Sequence, residues 1–514
     1  MKLLRKGLWN VLGFGVLFVW LVMMGLLVKK TYFQPPSRIV TVTENASSVS
    51  EEKTWMSIYH HDEKIGYVKS RLIKQPDGFI VADSARMNLR VGGTVQRIST
   101  SIIGHLNQDG SLRSFVFRLT SGLVHFEARG KVEDKYMIVN SRLGGEWRQS
   151  KIRLKDKPLL SVGLWPYLMK NGIKVGTRWR VPVFDPSVMA ERQVDVEVLS
   201  REVIVLDGKK WDALKVKTMF MGTEVFSWIG PNGERLQEES FMGLRLVRAS
   251  EEQALSGISF HPETDLAEEA SIACNMVLGN TSEIAYLKVR LDGINPEGLD
   301  LDGGRQHFKD FVLEITRETT PLNIKASRAY EMKQIKPYLA PEPMVESNHP
   351  SIKTLARKIV GGAKDPESKA RRILRWVYKS LDKRVTVSIP DALVTLKERA
   401  GDCNEHAVLF AALSRAAGVP ARLCAGLVYN RGRLYYHAWN EVFLGRWVTA
   451  DALMGEMPAD VTHIRFVEGG TDRQADMVRV IGRVKVTVLE ARESPKSEGA
   501  SQQPFRPLSR DHQI

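Results

Sequence analysis

The chain has 514 residues, a formal net charge of +15 and three cysteines. That length exceeds a single domain, and three widely spaced cysteines exclude a disulfide framework. The basic residues are scattered and join no basic-aromatic motif, which argues against nucleic acid as a partner and for a surface lying near anionic phospholipid or an acidic polymer.

Gly7–Val28 carries no charge and is apolar apart from Asn10. As a helix it would span about 33 Å, enough for the hydrocarbon core of a bilayer. Lys2, Arg5 and Lys6 precede it and Lys29 and Lys30 follow, a bias that favours the N-terminus inside and the body outside the cytoplasm. Gly25-Leu26-Leu27-Val28 is too bulky for signal-peptide cleavage, so residues 1–30 read as an uncleaved signal-anchor and 31–50 as a tether.

Residues 51–260 are strand-rich. Stretches 65–72, 97–103, 115–119, 135–141 and 194–198 alternate, a helix at 159–169 interrupts, and 223–228 and 236–241 form a hairpin around Pro231-Asn232-Gly233. The pattern predicts a large curved antiparallel sheet, loosely resembling the half-barrel of periplasmic lipoprotein carriers and serving as a spacer or a partner-binding surface. Residues 263–344 form a second β-rich region, with strands at 284–291 and 311–316 and a Pro-rich exit at 337–343.

Residues 346–490 carry the chemistry. Amphipathic helices at 351–360 and 366–381 come first, the second with Asp365 as N-cap and Pro366 at N1. Asp402 and Glu405 then have capping-box spacing, and the helix they open stops at Gly418-Val419-Pro420. Cys403 therefore falls at the first helical position, where unpaired N–H groups and the dipole favour a thiolate. Strands at 422–429, 434–443 and 447–451 follow, with His437, Trp439 and Glu441 on one face. A two-residue turn at Gly445-Arg446 would put Asp451 on the face away from His437. A three-residue turn, 444–446, pairs Phe443 with Trp447 and brings Asp451 diagonal to His437, roughly 7–8 Å between backbones. Cys403, His437 and Asp451 are then a nucleophile, a base and an orienting carboxylate for acyl chemistry.

The quoted segments Gly401-Asp402-Cys403-Asn404-Glu405-His406-Ala407, Tyr436-His437-Ala438-Trp439-Asn440-Glu441-Val442 and Trp447-Val448-Thr449-Ala450-Asp451 resemble the bacterial transglutaminase-like superfamily, as do 391–396, 416–422 and 458–463. Ala452 departs from the proline that many relatives carry after the aspartate. The resemblance implies an α+β fold with a papain-like Cys-His-Asp site on a helix packed against an antiparallel sheet, preceded by the antiparallel β domains and the N-terminal transmembrane helix. It implies a peptide or protein substrate whose peptide or amide bond is cut through a thioester. The acceptor is left open between water, the commoner outcome in bacterial members, and a crosslinking amine. The rival from another class is a non-catalytic, peptide-binding envelope scaffold.

Other residues have plainer readings. Cys403, His406 and His437 are a weaker structural-metal candidate, with no second cysteine pair beside them; no metal and no cofactor is expected. His406 reads as packed or hydrogen-bonded and Cys424 as a buried apolar residue, while Trp439 and His463 are open between lining the cleft and packing. Residues 491–514 read as a disordered tail. The expected location is a bacterial inner membrane, single-pass, with the body in the periplasm.

Overall fold

The computed structural model describes residues 51–122, 124–143, 147–170, 172–220, 223–318 and 334–494. The signal-anchor Gly7–Val28, the tether and nearly all of the C-terminal tail lie outside the described residues. Among the described residues no helix is long and apolar enough to cross a membrane.

Alternation and tight turns make residues 51–249 into one fifteen-stranded sheet. The chain starts in its middle with Glu51–His60 and steps outward by hairpins to the edge strand Arg148–Arg153. Leu159–Leu160 and the short helix Leu164–Lys170 carry it to the opposite edge, and it returns by hairpins to Leu244–Ala249, which pairs with the first strand at Trp55↔Ala249. Only the pairing of Leu159–Leu160 with Arg178–Asp185 is parallel in this sheet. The sheet curls until its two arms touch: the rings of Phe115 and Phe184 lie 5.5 Å apart, in one core with Val81, Leu106 and Leu160. Phe115 lies across Gly130, where a Cβ would come within 2.0 Å of its ring, so the glycine supplies the space the ring fills.

Met344 and Ile389 join that core, and Arg148 on the edge strand donates to Asp391 at 2.6 Å and pairs with Glu346. The sheet is thus fixed to the region that carries the site. Residues 263–344 pair across the boundary drawn from the sequence. Ile272–Ala273 adds to Arg433–Phe443, and Ile284–Asp292 pairs with both Val312–Thr316 and Lys485–Glu493. The closing strand is Lys485–Glu493; Ala475–Arg479 before it is a 3-10 turn, and the alternating Val484, Val486 and Val488 enter a core with Leu287, Val289 and Phe466.

The site itself sits where four helices, Pro350–Val360, Pro366–Ser380, Ala392–Glu398 and Cys403–Ala416, pack on a sheet. Its order is Ile272–Ala273, Arg433–Phe443, Ala421–Asn430, Ile464–Gly469, with Trp447–Ala450 also pairing to Arg433–Phe443. Phe410, Leu413, Val442 and Val448 are buried between the layers.

Candidate functional site

Cys403 is the first residue of its helix because Asp402 caps it. The Asp402 carboxylate accepts from the Asn404 N–H at 2.8 Å, and Glu405 accepts from the Asp402 N–H at 3.0 Å. Glu405 also receives the hydroxyls of Thr386, at 3.1 Å, and Ser388. The cysteine is half-buried against strand Arg433–Phe443, with the Ala438 N–H directed at its sulfur. Burial, Asp402, Glu405 and Asp451 push the thiol's pKa well up, against the Ala438 N–H. Asp402 is itself pushed well above the carboxylate range by burial and by Glu405. Burial and the neighbouring carboxylates thus act against the thiolate that the helix N-terminus favours.

His437 is buried one residue before Ala438 on the same strand, and its Nε2 lies 2.6 Å from Asp451 Oδ2. The turn after Phe443 has three residues, since Phe443 pairs with Trp447 and Asn440 with Ala450. Asp451 follows the last paired residue and bends back: its Oδ1 accepts from the Leu453 and Met454 N–H groups at 2.7 and 2.9 Å. Asp451 is fully buried, yet His437 and His463 overcome that burial and hold its carboxyl below the usual range.

His463 packs at the centre of the site rather than lining a cleft. Its Nε2 is 3.0 Å from Asp451 Oδ2 and its Nδ1 3.2 Å from Asp460 Oδ1. Burial opposes its charge, but the two carboxylates raise its pKa to about 9. Trp439 fixes both rings, stacking on His437 at 6.1 Å and meeting His463 edge-on at 5.3 Å. It fits because Gly426, paired with His437, has no side chain: a Cβ there would meet Ile464 O at 1.9 Å and the Trp439 ring at 2.9 Å.

Sequence reasoning missed Asp460 and the brace behind it. Arg305 donates to the carbonyls of Ala459 and His463, at 2.6 and 3.0 Å, and pairs with Glu318 at 3.2 Å. Glu318 in turn accepts from the Thr449 N–H at 2.9 Å. The one readable signal was Asp460-x-Thr462-His463, a carboxylate three residues before an imidazole. His406 is buried, with Nδ1 donating to the Asp402 carbonyl at 2.7 Å, and burial holds its pKa below the ordinary value. Cys424 is buried opposite Trp439.

Among the described residues the metal-like clusters here are His437, Asp451 and His463, and Glu456, Asp460 and His463, not Cys403, His406 and His437. Both imidazoles in the first already face the Asp451 carboxylate, so it is a hydrogen-bonded network. A cavity of about 1290 Å³ is lined by residues that include Arg317, Arg371, Arg375, Tyr378, Glu456 and Asp460. It reaches the back of Asp460 without including Cys403 or His437.

The family model described as the transglutaminase-like superfamily matches residues 353–452. No curated protein matches the chain. Among solved structures, a candidate cysteine protease from Cytophaga hutchinsonii is similar at 20% identity over 44% of this chain and 90% of its own, with a TM-score of 0.28. A beta-barrel-like protein of a domain of unknown function from Brucella abortus matches at 13% identity over 38% and 96%, TM-score 0.29. A candidate protease from Parabacteroides distasonis matches at 11% over 71% and 65%, TM-score 0.19. At these TM-scores the three likenesses carry no weight for function. The family match spans the cysteine helix, the histidine strand and the start of the Asp451 turn, and residues 353–452 are a domain of the transglutaminase-like superfamily.

Proposed function

We propose that the protein is a membrane-anchored thiol enzyme that cleaves a peptide or amide bond, with Cys403 as nucleophile, His437 as base and Asp451 as the group that orients it. The observation that carries the reading is the 2.6 Å contact of His437 Nε2 with the buried Asp451, beside a strand N–H directed at the Cys403 sulfur. Asp451 fixes the tautomer, so that Nδ1 can accept a proton. The Cys403 sulfur attacks the carbonyl carbon as its proton passes to Nδ1. The Cys403 backbone N–H, one of the first-turn donors with no helical acceptor, stabilises the oxyanion. Collapse expels the amine, which takes the proton from His437 and leaves a thioester. Water, activated by the same imidazole, releases the acid and restores the thiol.

One feature stands on the side of a peptide-binding scaffold: burial and the neighbouring carboxylates raise the thiol's pKa. Proton transfer to His437 within the attack step answers it, since no free thiolate is then needed. An amine in place of water at the second step would give crosslinking.

The proposal puts Gly7–Val28 across a bacterial inner membrane and the body in the periplasm. A fluorescent protein that matures only in the cytoplasm, fused to the C-terminus, should stay dark; a bright fusion overturns this orientation. The activity is tested by comparing exported peptides from cells carrying wild-type chain and Cys403→Ala, with a biotinylated primary amine added. New N-termini that need Cys403 support hydrolysis, and biotin incorporation that needs Cys403 supports amine transfer. Identical peptides with no incorporation overturn the enzyme reading.

A further inference from the structure

Another cluster of ligating side chains shares no residue with the Cys403 site. His60 ends strand Glu51–His60 and is 3% exposed. His61 opens the two-residue turn that links His60 to Glu63, in the left-handed region at φ 53°. Neighbouring side chains on a strand point to opposite faces. Here the left-handed residue brings both imidazoles to one side, their ring centres 4.6 Å apart. Such turns favour Asn or Gly, so a histidine at that position calls for a reason.

Both rings converge on Glu269, in helix Leu266–Ala270. His61 Nε2 is 2.7 Å from its Oε1 and His60 Nε2 is 2.9 Å from its Oε2. The second contact lacks hydrogen-bond alignment: His60 Nε2 and Glu269 Oε2 are buried and neither has a hydrogen-bonding partner. The helix is set in place independently, because Asp265 caps it and also accepts from the Gly92 and Gly93 N–H groups of the large sheet.

We propose that His60, His61 and Glu269 bind a divalent transition metal of the zinc type, which fastens the large sheet to the segment feeding the sheet of His437. Two imidazole nitrogens and one carboxylate oxygen lie within 4.8 Å of one another. Zinc bonds near 2.0–2.2 Å set such donors about 3.3 Å apart, so a few tenths of an ångström of opening admits the ion. The donor set suits zinc and its neighbours over magnesium or calcium, which take oxygen ligands. His61, with its side chain 53% exposed, leaves the fourth position open to water. Ile272, three residues after Glu269, pairs with Leu434 on the strand that carries His437, so the role is structural. The sequence hides the cluster because 208 residues separate His61 from Glu269.

The test uses the full chain in detergent, with Cys403→Ala to remove a competing thiol. Protein stripped with a chelator is titrated with Zn²⁺ by calorimetry and followed by thermal unfolding. One zinc per chain, with Kd below about 1 μM and a rise in Tm that saturates at one equivalent, is the expected result. His61→Ala, at a half-exposed position that tolerates truncation, and the isosteric Glu269→Gln should each weaken binding by at least about 100-fold and remove the thermal response. No binding, leaving a plain His–Glu contact, overturns the proposal. Stoichiometric binding that survives both substitutions places the zinc elsewhere and overturns it equally.

Discussion

Replacing His463 by Gln tests the buried network directly, because it removes a charge while keeping an amide that can still bond Asp451 or Asp460. Burial opposes the imidazolium and the two carboxylates hold it, raising the pKa from 6.5 to about 9. At about 1.4 kcal/mol per pH unit, that rise corresponds to roughly 3 kcal/mol of folding stability. The same interaction lowers Asp451 and Asp460, so it counts once. A base whose folded pKa is raised contributes in full below its unfolded value and loses the contribution as pH rises through the folded value. The stabilisation is therefore complete at pH 6, declines between 6.5 and about 9, and is gone by pH 10. Pulse proteolysis in urea, reading the fragment that bears residues 334–494, should show His463→Gln less stable by roughly 3 kcal/mol at pH 6, a midpoint shift of about 1–1.5 M. At pH 10 the difference should fall below about 1 kcal/mol. A difference that is constant with pH, or a variant as stable as wild type at pH 6, would refute the assignment of His463 as a shared cation.

Alkylation of Cys403 by iodoacetamide should still be accelerating above pH 8, since burial and the carboxylates raise its pKa; a plateau below pH 6 would show a preformed thiolate instead. Cys403→Ala should abolish turnover with the fold intact. Asp451→Asn should cut kcat by about 10²–10³-fold, less than in serine triads because a thiol is easier to deprotonate than a hydroxyl; an unchanged kcat would remove Asp451 from the mechanism. Gly426→Ala drives a methyl group into Ile464 O and the Trp439 ring, and should destabilise the domain by about 2–3 kcal/mol in urea unfolding.

Local chemistry was readable where the signal was local. The capping box at Asp402 and Glu405 places Cys403 at a helix start, and a Cys-His-Asp triad demands the three-residue turn, or a bulge, of which the strands form the turn. The upward push on the thiol's pKa was not readable, because it depends on how deeply those capping carboxylates are buried with the sulfur. The sharing of Asp451 by His463 and the role of Asp460 were not readable in a loop with no periodicity, and the brace from Arg305 and Glu318 comes from more than a hundred residues earlier. Alternation predicted the strands of the large sheet, but not that Leu159–Leu160 would carry the chain to the far edge and let the two arms pack together.

The central claim is that His437 makes Cys403 a nucleophile, and the chain contains its own control. Cys274 and Cys403 are both half-buried and Cys424 is buried, so exposure alone predicts similar labelling of the first two. Full-length protein treated with a peptidyl acyloxymethyl ketone and mapped by mass spectrometry should carry the adduct on Cys403 and not on Cys274. The rate should fall at least about 100-fold in His437→Ala. Equal labelling of Cys274 and Cys403, or a Cys403 rate unchanged in His437→Ala, would contradict it.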